Sequence, residues 1–188
     1  ASIKPLEEFP IQESEPFFLY PSAANPQKNH IVLFKAVLDL LARGLRFKLV
    51  LTGGQTEQLL GEAPMERKAP EEARRFFHKH KEHLSGTIIA AGHVSERMLT
   101  ALFNKCIAIL MPSKYEGFGL PVAEAFSYGK PVIASNLAVF REQITCYDAD
   151  EFVETFPATD HETLAGLMRS RLQEGELSPE RMQELQNN

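Results

Sequence analysis

Short, mostly apolar runs alternate along this chain with stretches of helical periodicity, about five times over, and that alternation limits the fold more than any other feature. The runs are Phe17–Tyr20, Phe47–Thr52, Thr87–Ala91, Ile107–Met111 and Pro131–Ala134. They lack the in–out pattern of a half-exposed strand, so each is expected to be covered on both faces. Between them, residues 29–43 place Ile31, Phe34, Val37, Leu38 and Leu41 on one helical face and stop at Gly44. Ser95 caps a stretch that would bury Met98, Leu99, Leu102 and Phe103, and a helix from Pro121 to Tyr128 ends at Gly129. Pro70 at a first helical position, with Glu71 and Glu72 after it and Lys79 and Lys81 at the far end, matches a helix dipole at both termini. Residues 61–70 read as loop. Thr159 and Glu162 form a capping-box pattern opening a helix through about Gln173, and Ser178-Pro179 starts a weaker last one. Strands and helices in this order, with short connections, call for a parallel sheet with helices on both faces, a doubly wound α/β domain over 17–188. Residues 1–16 hold three prolines and four glutamates and read as an extended lead-in or linker.

Bulk properties narrow the function. A formal charge of −5 on 188 residues argues against a duplex nucleic-acid binder, which needs clustered Lys and Arg. No apolar run approaches the roughly 20 residues that span a bilayer. Cys106 and Cys146 have no metal-like spacing and fit a reducing, cytoplasmic setting; Cys106 reads as a small apolar filler. His78, His80 and His83 do not share one helical face and read as a solvated surface, so no metal site is expected.

The stretch from Met111 to Ser135 carries the chemistry. A buried run enters a loop holding Glu116, Gly117, Phe118 and Gly119, and a helix follows near Leu120 and Pro121. The glycines let backbone approach a ligand closely, and the helix turns its positive end toward the loop, an arrangement suited to a diphosphate. Glu124 could accept two hydrogen bonds from a vicinal diol such as a ribose, and Glu116 could reach sugar hydroxyls beyond the phosphates.

This segment resembles the donor-binding motif of the large retaining glycosyltransferase family, group 1 or family four, that contains bacterial mannosyl- and glucosyltransferases and sucrose synthase. Its mark is two glutamates separated by seven residues, here Glu116 and Glu124. Pro26 to Asn29 is similar to the family's loop after the first strand, Gly92 to Ser95 to its loop after the third, and Pro131 to Ser135 to its fifth strand. The resemblance implies a Rossmann-like domain, the C-terminal half of a GT-B fold. It implies that Glu124 binds ribose hydroxyls, that Glu116 contacts the donor sugar and that Lys28 neutralises the diphosphate leaving group. Backbone amides near Gly117, Phe118, Gly119 and Leu120 would assist, with Gly92, His93 and Val94 beside the base. Gly53-Gly54 is either a plain strand-end turn or a ligand-facing loop. The donor would be a UDP-, GDP- or ADP-sugar, with no cofactor and no metal. The amino-terminal acceptor domain is expected to be absent from this chain and supplied in cis or trans. On that reading the chain is an excised piece, inactive alone, and any membrane association would come through the other domain.

The sequence departs from the family at one point. Tyr20 to Asn25 contains no basic residue where the family usually places an arginine. A non-catalytic nucleotide-sugar-binding module, or a subunit of a split transferase, is therefore the alternative. An epimerase of the same two-domain plan stays open as well. A dinucleotide oxidoreductase would need a glycine-rich turn after the first strand, and Tyr20–Asn29 has no glycine.

Overall fold

The computed structural model describes residue 11 and residues 15–62, 70–117 and 120–187. Six parallel strands form one sheet: β1 (Phe17–Pro21), β2 (Lys48–Thr52), β3 (Ile88–Ala90), β4 (Ala108–Met111), β5 (Val132–Ser135) and β6 (Val153–Phe156), in the order β3-β2-β1-β4-β5-β6. All five expected strands are present. Their apolar runs are continuous because β1, β2, β4 and β5 lie inside the sheet with both faces covered; Phe18, Leu19, Leu49, Val50, Ile109 and Leu110 are fully buried.

The sixth strand and the helix before it, α7 (Ala138–Cys146), were not expected from sequence. β6 pairs only with β5 and exposes Thr155 while burying Val153 and Phe156, so it lacks the solid apolar signature of the inner strands.

Helices connect the strands: α1 (His30–Ala42), α2 (Thr56–Leu60), α3 (Glu71–Lys79), α4 (Lys81–Leu84), α5 (Glu96–Lys105), α6 (Leu120–Ser127), α8 (His161–Glu174) and α9 (Pro179–Asn187). The β1-to-β2 and β4-to-β5 connections step in opposite directions, and right-handed crossovers then put α1 and α6 on opposite faces. α1 packs against α3, α4 and α8, and α6 against α7 and α9. Pressed between sheet and helices, α1 buries Leu33, Ala36 and Leu40 as well as the expected Ile31, Phe34 and Val37, while Leu38 and Leu41 are half-buried.

The helix ends follow local chemistry. Ser95 Oγ accepts from Met98 N at 3.1 Å, as expected. Pro70 is the cap of α3 rather than its first residue. For α8 the cap is Asp160, not Thr159: its carboxylate accepts from Thr163 N at 2.9 Å and from Thr163 Oγ1 at 2.6 Å, and a charged acceptor outcompetes a hydroxyl at a helix N-terminus. Cys106 is fully buried, donates to the Phe103 carbonyl, and burial pushes its thiol up to about 12, which suits a filler.

Candidate functional site

In an open parallel sheet, ligands bind beyond the carboxyl ends of the strands where the strand order reverses. Here that point lies between β1 and β4, which pair as Phe18 with Ala108 and Leu19 with Ile109. The loops leaving these two strands meet. Lys28, from the β1 loop, forms an ion pair with Glu116 Oε1, from the β4 loop, though the two are 88 positions apart in the chain. Both side chains are partly shielded, with 20% and 11% of their surface exposed, so the pair keeps more of its attraction than a fully solvated one.

Each partner is fixed from below. Asn25 opens a 3-10 turn, Pro26–Lys28, and its Oδ1 accepts from Gln27 N at 3.0 Å and Lys28 N at 3.2 Å. The Lys28 carbonyl accepts from the fully buried Tyr20 hydroxyl at 2.7 Å. Burial raises the Tyr20 phenol well above its ordinary value, with the Ser113 and Ser22 hydroxyls acting in the opposite sense, so Tyr20 stays a neutral donor. Asn29 takes the left-handed conformation, φ 56°, and its amide donates to the carbonyls of Pro112 and Ala158 at 2.8 and 2.7 Å. That one side chain ties the β1 turn to the loops after β4 and β6. On the other side, Ser113 Oγ donates to Glu116 Oε1 at 2.8 Å, and the Ser113 carbonyl accepts from Ser135 Oγ at 2.6 Å. Lys114, exposed, donates its backbone N–H to the Gln27 carbonyl at 2.8 Å, which brings a second basic residue beside the Lys28 turn. No spacing in the sequence signals Tyr20, Asn25, Ser113, Lys114 or Ser135, because each acts on a loop distant in the chain or through backbone.

Gly53, Gly54, His93 and Val94 come together on the neighbouring loops. Gly53 N donates to the Gly92 carbonyl at 2.7 Å, and Ala24 N to the Gly54 carbonyl at 2.8 Å. A Cβ on Gly53, at φ +109°, would lie 2.7 Å from Ala23 N, so close loop–loop contact by itself demands glycine there. The His93 ring sits over Gly54, its Nε2 3.2 Å from where a Cβ would stand, and Val94 packs partly buried against the core. Thr56 Oγ1 donates to the Gly53 carbonyl and accepts from Gly92 N, both at 3.0 Å, lacing the two loops.

Gly117 is exposed, and a Cβ there would meet nothing among the described residues; Glu124 is exposed as the fifth residue of α6, later in the helix than its first turn. Phe118 and Gly119 lie outside the described residues, and Leu120 is described only as the start of α6. His78 faces the Gly61 carbonyl at 3.0 Å, His80 lies against Phe76, and His83 is exposed. Among the described residues no three His, Cys, Asp or Glu side chains gather as metal ligands, and no helix is long and apolar enough to cross a membrane.

Residues 4–188 match the family model described as Glycosyl transferases group 1. The chain belongs to that family. Among its relatives, O-antigen chain mannosyltransferase B of Escherichia coli is 32% identical over 132 residues, which covers 68% of this chain and 30% of the relative. Solved structures share the fold: sucrose-phosphate synthase from Thermosynechococcus elongatus superposes with a TM-score of 0.70 at 24% identity over 94% of this chain and 40% of that one. A glycosyltransferase from Rickettsia africae does so with a TM-score of 0.70 at 19% identity, over 93% and 41%. The chain thus spans less than half the length of these family proteins. Within the glycosyl transferases group 1 family, its doubly wound sheet is a Rossmann-like α/β fold of the kind found in GT-B glycosyltransferases.

Proposed function

We propose that this domain binds a nucleoside-diphosphate hexose and, in a complete two-domain protein, serves a retaining, metal-independent transfer of that hexose to an acceptor held by a second domain. The observation that carries the reading is the meeting of Lys28 and Glu116 across the β1–β4 switch point, beside the start of α6. In transfer, the bond between the anomeric carbon and the diphosphate oxygen breaks and its electron pair stays on the phosphate. Lys28 stabilises that growing charge, helped by backbone amides of Gly117, Phe118, Gly119 and Leu120 at the amino end of α6. Glu116 takes hydroxyls of the hexose, Glu124 those of the ribose, and Gly53, His93 and Val94 border the base. The mannosyltransferase name of the E. coli relative fits a hexose donor. The domain on its own is inactive in this reading, because the acceptor site belongs to the other half, in cis or in trans. A cytoplasmic setting, with both cysteines free, belongs to the same reading.

Calorimetric titration of the chain with UDP, GDP and ADP tests this directly. One of them binds more tightly than millimolar, and Glu124→Ala weakens it about tenfold, a loss of about 1.4 kcal/mol. An unchanged dissociation constant overturns the ribose role of Glu124, and failure of all three nucleotides overturns the binding site. A non-catalytic binding module is the second reading, favoured by the lack of any basic residue in Tyr20–Asn25. A two-domain protein that binds donor but transfers no sugar would establish it.

A further inference from the structure

On the reading proposed above, a bound diphosphate competes with Glu116 for the N–H donors of Lys28. A diphosphate carries more negative charge than a single carboxylate, so a bound donor draws the Lys28 ammonium away from Glu116 Oε1. A glutamate that loses its ion pair regains rotamer freedom, and ordering it again for a sugar costs free energy. A second donor is already in place. Ser113 Oγ donates to the same Oε1 at 2.8 Å. Ser113 is fully buried, and its backbone is anchored independently of the Lys28 side chain, because its carbonyl accepts from Ser135 Oγ on β5 at 2.6 Å. The preceding carbonyl, of Pro112, is held by Asn29 Nδ2 at 2.8 Å. Both protein donors fall on Oε1; among the described residues Oε2 has no partner.

We propose that Ser113 is the positioning residue of Glu116: it keeps Oε1 in place when Lys28 turns to the diphosphate, and so presents Oε2 to a hydroxyl of the donor hexose. Ser113 then sets how strongly the hexose is felt and leaves the nucleotide alone. The inference rests on the reading of Glu116 as the sugar ligand.

The test compares UDP with UDP-glucose and GDP with GDP-mannose by calorimetry on the full chain, its Ser113→Ala and Ser113→Thr variants, and Ser113→Cys, a near-isosteric weak donor that guards against misfolding of the alanine variant. Thermal unfolding checks that each variant is folded. The expected result is a diphosphate affinity within about twofold of the parent in every variant. The dissociation constant of the sugar nucleotide relative to its diphosphate should rise about fivefold or more in Ser113→Ala and Ser113→Cys and return in Ser113→Thr. An unchanged ratio in the folded alanine or cysteine variant overturns the proposal, as does an equal weakening of diphosphate and sugar nucleotide. If the parent binds ADP instead, the same comparison is made with ADP and ADP-glucose; if it binds none of UDP, GDP and ADP, the donor-site reading itself fails and this inference falls with it.

Discussion

His30 opens α1 directly beneath the Lys28 turn, fully buried, with neither ring nitrogen hydrogen-bonded among the described residues. Its ring packs between Tyr20 and Phe34, at centroid distances of 5.1 and 6.5 Å. Burial, reinforced by repulsion from Lys28, lowers its pKa to about 3, so it folds as a neutral imidazole. In the unfolded chain it titrates near 6.5. Between those values the unfolded state takes a proton that the folded state refuses, so stability falls as pH drops through that window and is unaffected above it. From pH 7 to pH 5 the loss from this one residue is about 2 kcal/mol. Urea unfolding of the parent and of His30→Phe at pH 7 and pH 5 checks this: the variant should lose less stability than the parent over that interval. Equal losses would show that His30 is hydrated or paired. At this scale the sequence offered Lys28, Glu116 and Glu124 as candidates because each stands in a local motif, and the structure brings the first two together. It could not reveal Ser113 or Tyr20, whose importance lies in contacts made between loops from different strands.

Among the elements, α6 bears most directly on the proposed site, since it carries Glu124 and follows the β4 loop in the chain. Its far end is closed by Gly129, at φ +64°, whose N–H donates to the Phe126 carbonyl while Lys130 N donates to the Ala125 carbonyl. These two bonds make the terminating turn that glycine suits best. α9 lies across this turn: a Cβ on Gly129 would stand 2.8 Å from the Met182 carbonyl oxygen, Leu185 is buried, and the Arg181 guanidinium sits 4.7 Å over the Phe152 ring. Gly129→Ala therefore meets both backbone strain and a collision with backbone. It should lower stability by about 2 kcal/mol or more and speed hydrogen exchange in α9 before the sheet is affected. Protection in α9 equal to the parent's would contradict that packing. The elements legible in sequence were those with a solid apolar run or a clear cap. β6 escaped because Glu154 and Thr155 interrupt its apolar residues, and the start of α8 was placed one residue early because Thr159 and Glu162 imitate a capping box while Asp160 makes the cap.

The whole molecule is a strand-order reversal with a cation on one side of it and a carboxylate on the other. With a net charge of −5, the chain has little general attraction for anions, so the proposed diphosphate binding would have to rest on local groups: Lys28, Lys114 beside it and the start of α6. The fold was readable from the alternation of runs, since only a parallel sheet covered on both faces accommodates it. The union of the β1 and β4 loops followed from topology and not from any local motif, because 88 positions separate the two residues that meet there. The most direct measurement is calorimetry of a nucleoside diphosphate and its monophosphate on the parent and on Lys28→Ala. The expected result is a loss of about tenfold or more for the diphosphate and little change for the monophosphate, which lacks the group that Lys28 would meet. Equal affinity of parent and variant for the diphosphate would contradict a phosphate site at the switch point.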